Sequence, residues 1–179
     1  MKKKLYAAYG SNLNLRQMAF RCSEARLVGT GMIPGYELQF KGRKNGAFAT
    51  IAPKEGAMVP VAVWELMPSD ELSLDRYEGF PSHYFKQDVP VQIDGQEISV
   101  MAYVMDLQKD FGSPSPWYYK TVLEGYRDCG LDVSYLQNAL KMSLQNVPSD
   151  FSWKEWQEYF DEIGPKEGPE GSGFSIQSM

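Results

Sequence analysis

Two stretches of the chain carry residues suited to chemistry. The first is Tyr9-Gly10-Ser11-Asn12-Leu13, where the short apolar run Leu5 to Ala8 breaks at a glycine and continues through Asn14-Leu15-Arg16-Gln17-Met18 into a helical pattern. A strand that stops at Gly-Ser-Asn in front of a helix leaves backbone N–H groups without intrahelical partners, near the positive end of the helix dipole. Such a corner suits an anion. The chain has neither a Walker lysine motif nor a G-x-G-x-x-G run, so a carboxylate fits the corner better than a phosphate. The same residues also fit a simpler arrangement, in which Gly10 turns the chain and Asn12 or Asn14 caps the helix.

The second stretch is Leu74-Asp75-Arg76-Tyr77-Glu78-Gly79-Phe80. Glu78 is placed as the last residue of a short helix that Gly79 ends, so it meets the negative end of the dipole. Tyr77, Phe80 and Tyr84 flank it and can strip water from its carboxyl. Both effects disfavour the charged form, raise the pKa, and suit a group that takes and returns a proton near neutral pH. Glu78 also fits a surface glutamate paired with Arg76 or Lys86.

Other chemistry has few residues to work with. Cys22 and Cys129 are the two cysteines, without CxxC spacing, and His83 is the one histidine. A zinc site needs three or four ligands, and a nucleophilic triad would have to run through His83. Both thiols read as small, half-buried apolar residues of a reduced compartment. An anion corner and one carboxyl, with no metal set and no nucleophile, suggest chemistry that needs only positioning and proton transfer. Intramolecular ring closure is of this kind, because attacker and electrophile already share one molecule. No metal and no cofactor is expected.

These groups need a scaffold, and 179 residues suffice for one domain, or one domain with a helical tail. Hydrophobic residues make up 43% and charged residues 23%, an ordinary globular composition. The net charge of −5, with no basic stripe beyond Lys2-Lys3-Lys4, argues against nucleic acid or an anionic membrane as partner. No apolar run approaches the roughly 18 residues of a membrane span, and no signal-peptide core follows the lysines. A soluble, cytoplasmic protein is expected.

Along the chain, Ala25 to Phe40 reads as extended, interrupted at Gly29, Gly31 and Pro34-Gly35, and is followed by a polar turn at Lys41 to Gly46. Ala47 to Ala52 and Val59 to Met67 read as two strands. Pro68-Ser69-Asp70-Glu71 starts a helix with a capping hydroxyl and two acids in its first turn. Tyr84 to Ile93 and Glu97 to Met105 form a hairpin about Asp94-Gly95. Phe111 to Pro116 is a rigid linker, and helical patterning resumes at Trp117 to Cys129 and Val133 to Gln145. A third run, Ser152 to Ile163, carries Trp153, Trp156, Tyr159 and Phe160 at helical spacing, and the Gly-, Pro- and Ser-rich tail from Pro165 reads as mobile. The pattern predicts an α+β fold whose sheet is mostly antiparallel or curls toward a small barrel.

Three motifs, Tyr6-Ala7-Ala8-Tyr9-Gly10-Ser11-Asn12-Leu13, Leu74-Asp75 through Glu78-Gly79, and Pro114-Ser115-Pro116-Trp117-Tyr118, resemble those of the gamma-glutamylcyclotransferase family in order and separation. The resemblance covers roughly residues 3 to 132. It implies a small mixed, mostly antiparallel β-barrel with surrounding helices over 1–132; outside it, the helical patterning and the composition lead to the expectation of a C-terminal helical extension over 133–163 packed on the barrel and a flexible tail over 164–179. It also implies a cofactor-free enzyme that cyclises a γ-glutamyl-amino acid to 5-oxoproline and releases the amino acid. On this likeness Glu78 serves as base and then acid, and the backbone from Tyr6, Ala7, Ala8, Tyr9, Gly10 and Ser11, with Asn12 and Leu13, holds the substrate's polar groups. Tyr118 reaches in from the helix after the Pro-Ser-Pro turn. Whether the loop amides meet the α-carboxylate or the γ-carbonyl oxygen stays open at this level. The Ser11-Asn12-Leu13 ending differs from the Gly-Thr-Leu and Gly-Ser-Leu endings resembling the γ-glutamylamine and glutathione-specific branches, which favours free γ-glutamyl-amino acids. A γ-glutamylamine or another γ-glutamyl metabolite remains an alternative substrate, and a non-catalytic carboxylate-binding module an alternative function. The aromatic run at Trp153 to Phe160 leaves three uses open: packing on the domain, closing the pocket, or joining two chains as a homodimer.

Overall fold

In the computed structural model, which describes residues 3–147, five strands close on themselves. They are β1 (Lys4–Ala8), β2 (Arg26–Gly42), β3 (Ala47–Leu66), β4 (Tyr84–Ile93) and β5 (Gln96–Met105), in the spatial order β1-β3-β2-β4-β5. Neighbours run antiparallel except where β1 meets β5 in parallel, with Tyr6 opposite Met101, and completes the barrel. Four helices surround it: α1 (Leu15–Arg21), α2 (Pro68–Glu78), α3 (Pro116–Asp128) and α4 (Val133–Gln145). The expected α+β barrel with surrounding helices is the fold observed. The aromatic run from Trp153 and the tail lie outside the described residues.

The segment expected as two strands, Ala47 to Ala52 and Val59 to Met67, is the single strand β3. Its partner β2 is continuous, and the register slips where Tyr36 faces Pro53 but Pro34 faces Met58. Gly35 and Gly56 take φ of 76° and 75° at this irregularity, where the left-handed region admits glycine without steric penalty. The polar Lys54-Glu55-Gly56 stretch that reads as a break is therefore an exposed bulge inside a paired strand. The hairpin between β4 and β5 turns at Asp94 and Gly95, with φ of 51° and 75°, as an Asp-Gly pair favours.

Local chemistry sets the helix ends. Asn14 caps α1 through a side-chain oxygen that accepts the Gln17 N–H at 3.0 Å. Helix α2 is capped differently from the expectation at Ser69: Asp70 at the third position accepts the Met67 N–H at 3.0 Å, while the Ser69 hydroxyl donates to Glu24 at 2.7 Å. A carboxylate at that position reaches back to the orphan amide, and a Ser already inside the helix cannot. Gly79 ends α2 with φ 65°. Ser115 caps α3 by accepting the Tyr118 N–H at 3.2 Å, with Pro116 in the first turn.

Close contacts fix α3 and α4 on the barrel. Helix α3 presses on the turn after β1 at Gly125, where a Cβ would lie 2.6 Å from the Asn14 nitrogen and 2.6 Å from the Leu13 Cβ. Helix α4 covers β2 and supplies hydroxyls to its backbone: Tyr135 accepts the Leu38 N–H at 3.2 Å and Ser143 accepts the Phe40 N–H at 3.0 Å. Without them these strand amides would lose a hydrogen-bond acceptor, and the buried Phe40 amide would have no water to replace it. Tyr119, Tyr126, Phe40 and Leu136 are fully buried in the core beneath.

Candidate active site

The elements around the end of β1 enclose a cavity of about 250 Å³. Its wall is drawn from distant parts of the chain: Tyr6 of β1, Tyr9, Gly10, Ser11 and Asn12 after it, Phe48 and Ala49 of β3, Tyr77 and Glu78 of α2, and His83, Tyr84, Tyr103 and Tyr118. Six of these residues are tyrosines, so the cavity is apolar in its faces and polar at its hydroxyl tips. Of the residues singled out from the sequence, Tyr6, Tyr9, Gly10, Ser11, Asn12, Glu78 and Tyr118 meet here. Ala7, Ala8 and Leu13 are fully buried and do not line the cavity.

Gly10 is the point of closest approach between the loop and α3. A Cβ there would stand 3.2 Å from the Tyr118 hydroxyl and 3.3 Å from the Ala49 Cβ. Ser11–Leu13 form one turn of 3₁₀ helix, closed by the Leu13 N–H to Gly10 O at 3.0 Å and the Asn14 N–H to Ser11 O at 3.1 Å. The amides of Ser11 and Asn12 precede the first bond of that turn and have no partner within it. The donor corner expected from the sequence thus belongs to this turn rather than to α1, whose first turn is capped by its own Asn14.

Glu78, the last residue of α2, is half-buried, and its Oε1 accepts from Asn12 Nδ2 at 2.9 Å. The same NH2 group donates to the Tyr6 hydroxyl at 2.9 Å. Burial pushes the Glu78 carboxyl up to about 7, opposed by the nearby Arg21 guanidinium and by the Asn12 hydrogen bond. Lys86 is bound to Glu71 at 2.6 Å and to Asp75 at 2.8 Å, so the paired surface glutamate that the sequence also allowed, with Lys86 as partner, is not formed. Of the three rings expected beside Glu78, Tyr77 and Tyr84 line the cavity with it, joined by Tyr6 and Tyr9, whereas the Phe80 ring is outside that wall and faces the Lys86 ammonium at 4.7 Å.

The tyrosine hydroxyls divide by the direction of their hydrogen bonds. Tyr84 donates to Ala49 O at 2.8 Å, Tyr103 donates to Asp75 at 2.5 Å, and Tyr9 donates to the Tyr103 carbonyl, so those protons are committed. Tyr6 accepts from Asn12, and Tyr118 accepts from the Ala49 N–H at 3.1 Å. In these bonds both hydroxyls act as acceptors, which leaves their own protons able to donate into the cavity. Burial first, and then the neighbouring Glu78 charge, push the Tyr6 and Tyr118 hydroxyls up, which keeps both as neutral donors. Among the described residues no three His, Cys, Asp or Glu side chains gather as a metal would require, and no helix is long and apolar enough to cross a membrane.

Sequence reading missed Tyr103 and Arg21. Tyr103 is brought in by the parallel closure of β5 on β1, a pairing no local pattern announces. Arg21 carried a usable signal, since it lies one turn after Gln17 on the helix that follows Asn12.

Comparison with other proteins gives the family of the chain. Residues 6–120 match the family described as gamma-glutamyl cyclotransferase, AIG2-like. The chain is 30% identical to the bovine gamma-glutamylcyclotransferase over 172 residues, covering 89% of this chain and 87% of the relative. It is 32% identical to the human gamma-glutamylcyclotransferase over 168 residues, with the same two coverages. A solved structure of a gamma-glutamyl cyclotransferase superposes with a TM-score of 0.70 at 29% identity, covering 90% of this chain and 98% of that one. The likeness is therefore longer than the span of roughly residues 3 to 132 that the motifs alone suggested. The cavity, its carboxyl and the turn beside it occur in a chain that belongs to the gamma-glutamyl cyclotransferase, AIG2-like family.

Proposed function

We propose that this protein is an enzyme of the gamma-glutamylcyclotransferase type that converts a γ-glutamyl-amino acid into 5-oxoproline and the free amino acid. The observation that carries this reading is the Glu78 carboxyl, tied at 2.9 Å to the Asn12 side chain and set by burial to titrate at about 7. A group with that affinity for protons can act first as base and then as acid at neutral pH.

The reaction needs two protons moved from one nitrogen to another. The α-ammonium of the substrate gives a proton to Glu78, and the amine so formed attacks the γ-carbonyl carbon within the same molecule. Glu78 returns that proton to the amide nitrogen, and a second passes the same way, so the new C–N bond of the lactam forms as the old C–N bond breaks. The released amino acid leaves with its nitrogen protonated, and no water or co-reactant is consumed. Holding attacker and electrophile in the reactive conformer supplies much of the acceleration.

The turn after β1 supplies binding. The Ser11 and Asn12 amides donate to substrate oxygens, and the Tyr118 and Tyr6 hydroxyls add donors on two other sides. Where an amide meets the γ-carbonyl oxygen it also stabilises the charge that develops there, worth about 3 kcal/mol per donor in other enzymes. Free γ-glutamyl-amino acids are preferred over γ-glutamylamines on the basis of the Ser11-Asn12-Leu13 ending.

Incubation with γ-glutamyl-alanine, with 5-oxoproline and alanine followed together, tests the assignment. One 5-oxoproline per alanine is expected, with γ-glutamylamines turned over more slowly. Stabilisation by 5-oxoproline without turnover of any γ-glutamyl compound would instead identify a binding module.

A further inference from the structure

Arg21 lies outside the cavity, yet its contacts converge on the residue that holds Glu78. One guanidinium nitrogen donates to Asn12 Oδ1 at 2.5 Å and to Ser11 Oγ at 3.2 Å. The other donates to Gln17 Oε1 at 2.9 Å, one turn earlier on α1. The group stacks on the Tyr77 ring at 3.5 Å from its centroid, and the Tyr77 hydroxyl meets Ser11 Oγ at 3.1 Å. The cation is thus held by an aromatic face, a helix side chain and the loop itself.

A guanidinium donates and cannot accept. Asn12 must therefore turn its carbonyl oxygen to Arg21 and its NH2 to the far side, where Tyr6 and Glu78 accept at 2.9 Å each. In the flipped orientation N–H would oppose N–H, and Glu78 would meet an oxygen instead. An oxygen there favours the protonated acid, whereas an NH2 favours the carboxylate.

We propose that Arg21 is a positioning residue that acts through Asn12: by claiming the amide oxygen it fixes the NH2 edge on Glu78, and so supports the carboxylate form needed to accept a proton. This rests on the reading of Glu78 as the reacting acid, but its direct readout does not require turnover. The other titratable groups that line the cavity with Glu78 are Tyr6 from β1, Tyr9 just after it, Tyr77 from α2, His83 from the loop after α2, Tyr84 from β4, Tyr103 from β5 and Tyr118 from α3. None of them takes the amide oxygen of Asn12.

Carboxyl-carbon NMR on glutamate-labelled full-length protein, with the Glu78 signal assigned by its loss in Glu78→Gln, reads the titration directly. In Arg21→Met the midpoint is expected to rise by about one pH unit or more. In an Asn12→Ala background the same Arg21 substitution is expected to raise it by a smaller amount, because the intermediary is gone and only the direct effect of the guanidinium charge is left. Arg21→Lys keeps the charge but not the fork and is expected to fall between wild type and Arg21→Met. Should Arg21→Met fail to fold, Arg21→Lys with and without Asn12 decides by the same comparison. An unchanged midpoint, or equal increments in both backgrounds, overturns the inference. Failure to turn over any γ-glutamyl compound, with the titration shifts as described, would remove the proposed reaction and leave the role of Arg21 standing.

Discussion

Replacing Glu78 by glutamine should stabilise the protein at alkaline pH while abolishing its proposed chemistry. The carboxyl titrates near 4.5 without its surroundings and at about 7 in the folded chain. The folded state therefore binds this proton more tightly than the unfolded state. Below the unfolded value both states are protonated and nothing is lost. As pH rises from 4.5 through 7 the unfolded chain ionises first, so the folded state loses stability, and the full penalty stands above 7. A shift of this size corresponds to at most about 3 kcal/mol. Glutamine is uncharged and nearly isosteric, and its carbonyl oxygen can still accept from Asn12, so Glu78→Gln should gain about 2 kcal/mol relative to wild type at about pH 8 and much less at about pH 5. For a chain of this size that is a rise in Tm of about 5 °C. Thermal unfolding of both proteins at the two pH values measures it. A difference independent of pH, or a variant less stable at about pH 8, would refute the argument that burial sets the affinity of this carboxyl for its proton.

Three further outcomes follow from the packing. Gly125→Ala should destabilise by about 1–3 kcal/mol in urea unfolding, since the new methyl would stand 2.6 Å from backbone and side-chain atoms of the turn, and should also lower activity by displacing Ser11 and Asn12. Ser143→Ala should lose about 1–3 kcal/mol by leaving the Phe40 amide without its acceptor, with KM unchanged because α4 does not border the cavity. Tyr118→Phe removes both the acceptor for the Ala49 N–H and the donor proposed for the substrate, so kcat/KM should fall roughly tenfold or more with about 1 kcal/mol of stability lost, measured by steady-state kinetics and urea unfolding.

The elements that position the site were legible where local rules act alone. The break at Gly10, the Gly79 stop after Glu78 and the Asp94-Gly95 hairpin each follow from backbone conformations that these residues favour. Strand β3 was not legible as one piece, because pairing with β2 carries it through a polar bulge that reads locally as a loop. The cap of α2 was misplaced for a related reason: Ser69 and Asp70 are adjacent, and only the backbone path shows that the acid at the third position, rather than the hydroxyl, reaches the free Met67 amide. The partner of Glu78 was hidden more deeply. Asn12 read as a capping residue or as a holder of substrate, yet its side chain faces an acid that arrives from a helix after β3, with its amide oxygen on Arg21.

The most direct measurement is the pH dependence of kcat/KM for γ-glutamyl-alanine, with wild type and Glu78→Gln compared. An acid limb with a midpoint at about 7 is expected for the wild type, together with loss of turnover in a Glu78→Gln protein that still binds 5-oxoproline. A limb near 4.5, or a glutamine variant that turns over at the wild-type rate, would contradict the assignment of Glu78 as the group that carries the proton.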